Sequence, residues 1–416
     1  MTFLPADILI PNIADKAAWS VVACDQYTSE PEYWDEVKNL TQGKQSAYHV
    51  VLPEIYLEDD NVDDRIRDIN ENMKSYCKGK VFNEYKNSYI YIERTQRNGK
   101  IRRGIVGMVD LDDYDYTKGS KSAVRATEGT VTERIPPRLK VRMDACLELP
   151  HVMLLVDDRK KCIIEHISSR KKELEVVYDF DLMMNSGHLT GWLVNDELAA
   201  HIQKELSALA DLEAFNQKYE VNETAPLVFA VGDGNHSLAT AKEYYNHVKA
   251  NGGDTLLSKY ALVELVNLHD ESLVFEAIHR VVFDVDVDLF KKELMELCVE
   301  SDSKNGQSFC LVTASGDYNL TFNKPTANLT VGSVQNFIDD FISRNGGRVD
   351  YIHGDDVVRS LSASDSSCGI LLDSMDKNDL FKTVIVDGAL PRKTFSMGDA
   401  CDKRFYTEAR IINNNF

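Results

Sequence analysis

The sequence predicts an α/β (α+β) protein built on a mixed β-sheet, and three observations carry that prediction. The apolar run Leu227–Val231 ends in Gly232-Asp233-Gly234 and leads at once into a helical pattern over Ser237–Ala250, the strand, turn and helix order of α/β folds. Two β-type runs, Ser88–Thr95 and Ile101–Leu111, flank Gln96-Arg97-Asn98-Gly99-Lys100, and Asn-Gly is a strong hairpin signal. Strand and helix patterns go on alternating to the C-terminus without an internal repeat or a low-complexity linker.

Taken in order, residues 1–50 carry few periodic signals and are expected to be irregular, and a helix is expected over Val62–Cys77. Residues 112–150 resist a regular reading, with Pro136-Pro137 interrupting them. His151–Val156 reads as a short strand, and Leu174–Phe180 and His188–Val194 read as two more about Asn185-Ser186-Gly187. A single helix is expected from Asn195 or Asp196, good N-caps, through Tyr219. The helix after Leu227–Val231 closes at Asn251-Gly252-Gly253, and Tyr260–Leu268 is a further strand. From about 285 the alternation restarts: Val285–Phe290 leads into a helix, and Phe309–Ala314 and Tyr318–Phe322 form a hairpin about Ser315-Gly316-Asp317. A helix over Ser333–Arg344 and strands at Val349–Ile352 and Ile370–Leu372 follow. The expected organisation is a core of residues 1–284 and an α/β subdomain of 285–416, or one elaborate unit.

The chain has 416 residues, 43% of them hydrophobic, enough for a large core. A net charge of -20 repels nucleic-acid phosphates and anionic lipid, so neither is an expected partner. The eight cysteines include no Cys-x-x-Cys and read as reduced thiols, mostly buried small hydrophobes. The N-terminal residues lack a signal-peptide pattern and no apolar run spans a bilayer, so a cytoplasmic protein is expected.

The chemistry points to Gly232-Asp233-Gly234-Asn235-His236-Ser237. Amides at a helix N-terminus favour negative charge, and glycines let the backbone approach an anion closely. A phosphate bound there lies beside Asp233 and His236, one as base or magnesium ligand, the other as donor. The same composition also makes a plain tight turn. The pattern lacks the Gly-Lys-Ser/Thr of a P-loop and the third glycine of the dinucleotide fingerprint. Three cationic features lie elsewhere. Residues 118–144 hold seven Lys and Arg against three acidic residues, and Arg134 and Arg138 in that stretch are candidate phosphate clamps. His279-Arg280 sits in an apolar segment, where a structural ion pair is the commoner explanation. Lys393 follows Leu390-Pro391-Arg392 and can reach a phosphate, cap a helix or face water. No zinc-ligand spacing and no Gly-x-Ser-x-Gly elbow is present.

The stretch Asp233-Gly234-Asn235-His236-Ser237-Leu238-Ala239-Thr240-Ala241 resembles the Asp-Gly-His-His-Arg-Tyr-x-x-Ala signature of the domain of unknown function 1015 family. Glu148-Leu149-Pro150, His279-Arg280 and Leu390-Pro391-Arg392-Lys393-Thr394 match further family segments in the same order. The family is similar in its core to the ParB/sulfiredoxin superfamily, whose members bind nucleotide phosphates at the matching turn and include kinases of free serine. The resemblance thus implies a ParB/sulfiredoxin-like core and a nucleotide site. In it Gly232, Gly234, Asn235, Ser237, Arg134, Arg138, His279, Arg280 and Lys393 contact nucleotide, with Asp233 and His236 catalytic and Asp233 on the metal. Asp25 and Tyr27, where the family has Pro-Pro-Tyr-Asp-Val, become pocket residues.

ATP or ADP with Mg2+ and a small hydroxylated substrate follow from the same resemblance, as for a kinase. The chain departs from the signature at Asn235 and Ser237. Ser237 removes a charge-assisted contact worth about 1.5–3 kcal/mol, which Arg134, Arg138, Arg280 or Lys393 would have to replace. A nucleotide-binding regulator without turnover is the alternative reading. A sulfiredoxin-like reductase is disfavoured because residues 232–237 hold no cysteine. Homo-oligomerisation is left open.

Overall fold

Ile90–Thr95 (β1) and Ile101–Asp110 (β2) pair antiparallel around the Asn98-Gly99 turn, as the hairpin signal requires. In the computed structural model, which describes residues 2–130, 132–301, 306–414 and 416, this hairpin is part of a ten-stranded mixed sheet. The sheet also contains Val124–Ala126 (β3), Met153–Val156 (β4), Glu175–Asp181 (β5), His188–Leu193 (β6), Phe229–Asp233 (β7) and Tyr260–Asn267 (β8). Their order is β5, β6, β1, β2, β8, β4, β7, β3, with Tyr114–Asp115 beyond β3 and Phe3–Leu4 on β2. The β4–β8 and β7–β3 pairs are parallel, and β4–β7 is antiparallel. The chain divides into two compact units: unit one is Met1–Leu273 with Asp399–Phe416, and unit two is Val274–Gly398.

In unit one the helices are Pro31–Thr41 (α1), Val62–Lys78 (α2), Ile135–Met143 (α3), Asp196–Leu209 (α4), Leu212–Tyr219 (α5) and Asn235–Ala250 (α6). α2 buries Ile66, Ile69, Met73 and Tyr76, a stripe at helical spacing. On one face of the sheet Leu154, Val156, Phe229, Val231 and Leu265 pack with Leu198, Ile202 and Leu206 of α4 and Leu238, Ala241 and Tyr245 of α6. Burying a leucine such as Leu238 stabilises by about 2 kcal/mol. The helix therefore holds the preceding turn against the sheet. β8 is buried almost throughout, as a strand covered on both faces must be. Its one charge, Glu264, is fully buried and meets Arg102 and Arg404.

Unit two carries a six-stranded antiparallel sheet in the order Cys298–Glu300, Gly316–Phe322, Ser308–Thr313, Ser367–Leu371, His279–Phe283, Arg348–Ile352. Its core includes Phe290, Phe337 and Phe341 in edge-to-face contacts. Among the described residues no helix is long and apolar enough to cross a membrane.

In unit one the elements differ from the sequence reading in three places, and in unit two the strand His279–Phe283 and the helices Asp355–Leu361 and Asp379–Asp387 were not read. Residues 1–50 are ordered: Ala6–Pro11 pairs with Phe82–Ser88, and α1 buries only Trp34, Val37 and Thr41, too narrow a stripe to read as a period. Residues 112–150 contain β3 and α3, and the two prolines start α3, because the first helical turn needs no amide donors. The helix expected through Tyr219 is two, since Ala210 ends α4 and the Asp211 carboxylate accepts from the Ala214 amide at 2.8 Å to begin α5.

Candidate functional site

β7 delivers Gly232 and Asp233 at its C-terminal end, with Asp233 opposite Met153, and α6 begins two residues later. A Cβ on Gly232 would stand 2.7 Å from Leu155 Cγ, so the strand needs glycine there to lie against β4. Gly234 has φ +80°, and a Cβ on it would stand 3.0 Å from His151 Cδ2 and 3.1 Å from Val152 Cα. The two glycines thus seat the turn directly on His151. Gly234 leaves the start of α6 without a side-chain cap, and the first turn carries no acidic residue. The Asn235 side chain faces Thr127, accepting from its amide at 3.3 Å, while the Thr127 hydroxyl donates to Val231 O at 2.6 Å. Asn235 therefore ties the turn to the end of β3.

Charged groups from four distant segments meet around this turn. Asp233 Oδ1 accepts from the Gly234 amide at 3.0 Å, and Oδ2 lies 3.3 Å from Lys403 Nζ. Asp25 Oδ2 lies 3.2 Å from His151 Nε2, and the other oxygen accepts from Gln26 Nε2 at 2.8 Å. His151 Nδ1 is 2.8 Å from the Tyr406 hydroxyl and 3.9 Å from Cys24 Sγ. Burial alone would lift the Asp25 pKa. His151, the Gln26 amide and Lys403 overcome burial and hold it well below the carboxylate range. For His151 burial works downward, and Tyr406 and Asp25 together raise it well above an ordinary histidine. His236 goes the other way. Burial, then Arg138 and Arg134, push it down to about 4 against the pull of Asp25, so its ring is neutral at pH 7.

Arg138 of α3 donates to Glu54 through Nε at 2.9 Å and through Nη2, and to Arg134 O at 2.6 Å. Arg134 itself is exposed at the N-cap of α3. Tyr27 stacks on Tyr33, ring centroids 3.7 Å apart, and its φ of +55° marks a sharp local turn. Next to these groups lies a cavity of ≈ 160 Å³ lined by Cys24, Glu54, Arg138, His151, Ser237 and Tyr406 among others. Ser237 thus faces open space, and Arg138 shares the cavity wall with it. Cys24 also brings a thiol beside the turn that residues 232–237 lack.

The sequence reading missed His151, which it took only as the start of a strand, and Lys403 and Tyr406, and the structure shows how the last two are placed. Phe405–Tyr406 pairs with Val21–Val22. Arg94 of β1 donates to Lys403 O at 2.7 Å and Cys401 O at 2.6 Å, and Arg102 of β2 donates to Asp402 O at 2.7 Å. Arg404 bonds Pro150 O at 3.0 Å, Glu264 and Glu408. These arginines are buried, so their charge holds a backbone segment in place. The legible signal was Glu264 inside an apolar strand, a charge that needed cationic partners.

Three residues that the sequence nominates belong to unit two. Arg280 is fully buried, with Nη1 on Ile278 O, Nε 3.3 Å from Gln335 Oε1 and Nη2 3.0 Å from Arg392 O. His279 Nδ1 accepts from the Leu372 amide at 3.1 Å, and Nε2 faces Asp355 at 3.0 Å. Lys393 is exposed, with φ +56°.

No curated protein matches this chain. Among solved structures it is similar to a conserved hypothetical protein from Pyrococcus furiosus, at 9% identity and TM-score 0.34, covering 70% of this chain and 90% of that one. It is similar to a free serine kinase mutant in complex with ADP at 9% identity and TM-score 0.40, covering 74% and 92%. SbnI from Staphylococcus aureus, truncated at its C-terminus, gives 10% identity and TM-score 0.38 over 73% and 85%. The match that assigns the chain is to a family, runs over residues 9–341 and takes in the Asp233–Ala241 signature and His279-Arg280. On that match the chain belongs to the family described as protein of unknown function (DUF1015).

Proposed function

We propose that the protein is a small-molecule phosphotransferase that holds a nucleotide phosphate at the Gly232–Ser237 turn and transfers a phosphoryl group to a hydroxylated metabolite. The observation that carries this reading is the convergence of Asp25, His151, Asp233 and Lys403 on an uncapped helix start beside a cavity. Phosphoryl transfer asks for positioning and charge neutralisation more than for covalent chemistry, and this arrangement supplies both.

In the proposed step the substrate hydroxyl oxygen attacks the terminal phosphorus of ATP or ADP. A new P–O bond forms, the bond to the leaving phosphate breaks with its electron pair, and the hydroxyl proton is released to water, with the Asp25 carboxylate accepting the hydroxyl's hydrogen bond and orienting it. Lys403 and the amides at the start of α6 face the negative charge. Arg138 takes the place of the missing signature arginine. The neutral His236 ring donates one hydrogen bond to a phosphate oxygen. Asp233 offers one carboxylate, which suits magnesium, an ion that takes one or two carboxylates and fills its shell with phosphates and water. Magnesium would neutralise phosphate charge there, with Lys403 as its competitor for the same oxygen.

Incubation with ATP or ADP, magnesium and a metabolite mixture, followed by mass spectrometry, tests the reading. A phosphorylated product that disappears with Asp25→Asn and Asp233→Asn is the expected result. Nucleotide binding with no product over hours would instead make the protein a non-catalytic nucleotide-binding regulator.

A further inference from the structure

Cys77 and Cys146 come from distant parts of unit one and meet behind the cavity wall, with their Sγ atoms 3.8 Å apart. Cys77 lies in the last turn of α2, four residues after Met73 and so on the same side of that helix. Cys146 stands between Ala145 and Leu147, just before the Leu147–Glu148 strand, and its carbonyl accepts from the Ile412 amide at 3.0 Å. Met73, Ala145 and Leu147 all line the cavity. The thiol contact therefore joins α2 to the segment that follows α3, directly behind one wall. A disulfide holds its sulfurs about 2 Å apart, so each of these has about 1 Å to travel, a distance that small side-chain rotations cover.

The two thiols differ in access and in acidity. Cys146 is fully buried and Cys77 half-buried, so a dissolved reagent meets Cys77 first. The Cys77 thiol donates to Cys146. That bond, with burial behind it, pushes Cys77 up. The same bond brings Cys146 down against its own burial, helped by Lys74 one turn back on α2. A thiol that can be reached, next to one that more readily becomes a thiolate, is the arrangement of an attacked and a resolving cysteine.

We infer that Cys77 and Cys146 are a reversible disulfide pair whose closure fixes the α2 wall of the cavity. The oxidant is a small disulfide of the glutathione type. Cys77 Sγ loses its proton to water and attacks one sulfur of that disulfide, and one glutathione thiolate leaves. Cys146 Sγ then loses its proton, attacks Cys77 Sγ and expels the second glutathione thiolate. The two cysteines give up two electrons and two protons, and the small disulfide becomes two thiols. Nothing in these steps requires phosphoryl transfer.

The test is incubation of the folded full chain with oxidised glutathione at about pH 8, where exchange is fast, then alkylation of the remaining thiols, proteolysis without reductant and mass spectrometry. The expected product is a peptide pair joined through Cys77 and Cys146, two hydrogens lighter than the free peptides together and separated again by dithiothreitol. Cys77→Ser is expected to abolish it. Cys146→Ser is expected to stop the reaction at a glutathione adduct on Cys77, and Cys146→Ala, apolar at a fully buried position, is the second variant should Cys146→Ser fail to fold. Closure links residues 69 apart in sequence. It is expected to raise the melting temperature by about 3–6 °C and to slow amide hydrogen exchange about ten-fold in the peptides carrying Met73 and Leu147. A lasting glutathione adduct on Cys77 of the unaltered chain, a link that forms only in denaturant, or links scrambled among the other cysteines overturns the pair. A Cys77–Cys146 link that leaves exchange at Met73 and Leu147 unchanged overturns its hold on the wall.

Discussion

The Gly232–Ser237 turn in unit one and the His279-Arg280 pair in unit two look alike as sequence, since each sets a histidine and charged neighbours beside an apolar strand. They differ in where the polar atoms end. Arg280 is fully buried and its nitrogens reach Ile278 O, Gln335 and Arg392 O, all within its own unit. Burial pulls its pKa down to about 10, and it still carries its charge at pH 7. At the turn, Asp233 and Lys403 keep 23% and 16% of their side chains exposed, and their contact joins residues far apart in the chain. A charge whose donors all end on neutral acceptors of its own unit builds structure. Charges that meet across a half-open gap can be re-partnered by a ligand at small cost.

That contrast is broken most directly by exchange of loss types. Asp233→Asn is expected to cut turnover by on the order of 10²–10³ while the melting temperature stays nearly constant. Lys403→Met is expected to weaken ADP about ten- to a hundred-fold, since a charge-assisted contact contributes about 1.5–3 kcal/mol. Arg280→Met should do the reverse. It leaves the buried Ile278 carbonyl and the Gln335 side-chain oxygen without this donor, at a cost of about 3 kcal/mol by denaturant titration. A stable Arg280→Met protein, or a Lys403→Met protein with unaltered ADP affinity, would dissolve the distinction. A smaller effect sharpens it. Gly232→Ala pushes a methyl into Leu155 and is expected to cost about 1–3 kcal/mol, with ADP affinity falling as the turn lifts from β4.

The sheet, the hairpin and the strand, turn and helix around Gly232–Ser237 were legible because their signals are local: an Asn-Gly turn, an apolar run, a helical stripe. α1 and α3 were not, because α1 buries one narrow edge and α3 opens with prolines that read as a break. The site was legible in part for the same reason. Asp25, Asp233, His236 and Arg138 lie in recognisable segments. Lys403 and Tyr406 come from the last twenty residues, and their position depends on Arg94 and Arg102, three hundred residues earlier. No periodicity encodes such a contact. The return of Asp399–Phe416 to unit one is likewise a tertiary event, held by Arg404 on Glu264 and Glu408.

The finest form of the comparison is between His236 of the turn and His151 beneath it, which stand in one region and have opposite shifts. His236 is depressed to about 4, so the folded state resists its protonation while the unfolded chain accepts a proton near 6.5. Its contribution to stability is whole above about pH 6.5 and is lost as pH falls towards 4. His151 is raised, so its contribution is whole below about pH 6.5 and is lost as pH rises through its folded value. His236→Gln is therefore expected to flatten the acid limb of a melting-temperature profile and His151→Gln the alkaline limb, each leaving the other limb in place. Histidine NMR gives the sharper measurement: the His236 midpoint should lie near 4 and move towards 6.5 in Arg138→Met, because burial is then reinforced by fewer positive neighbours. That last move is the smallest effect and the most specific. It requires Arg138 to act on the turn through space while bonded to Glu54, and a midpoint indifferent to Arg138 would remove that arginine from the site.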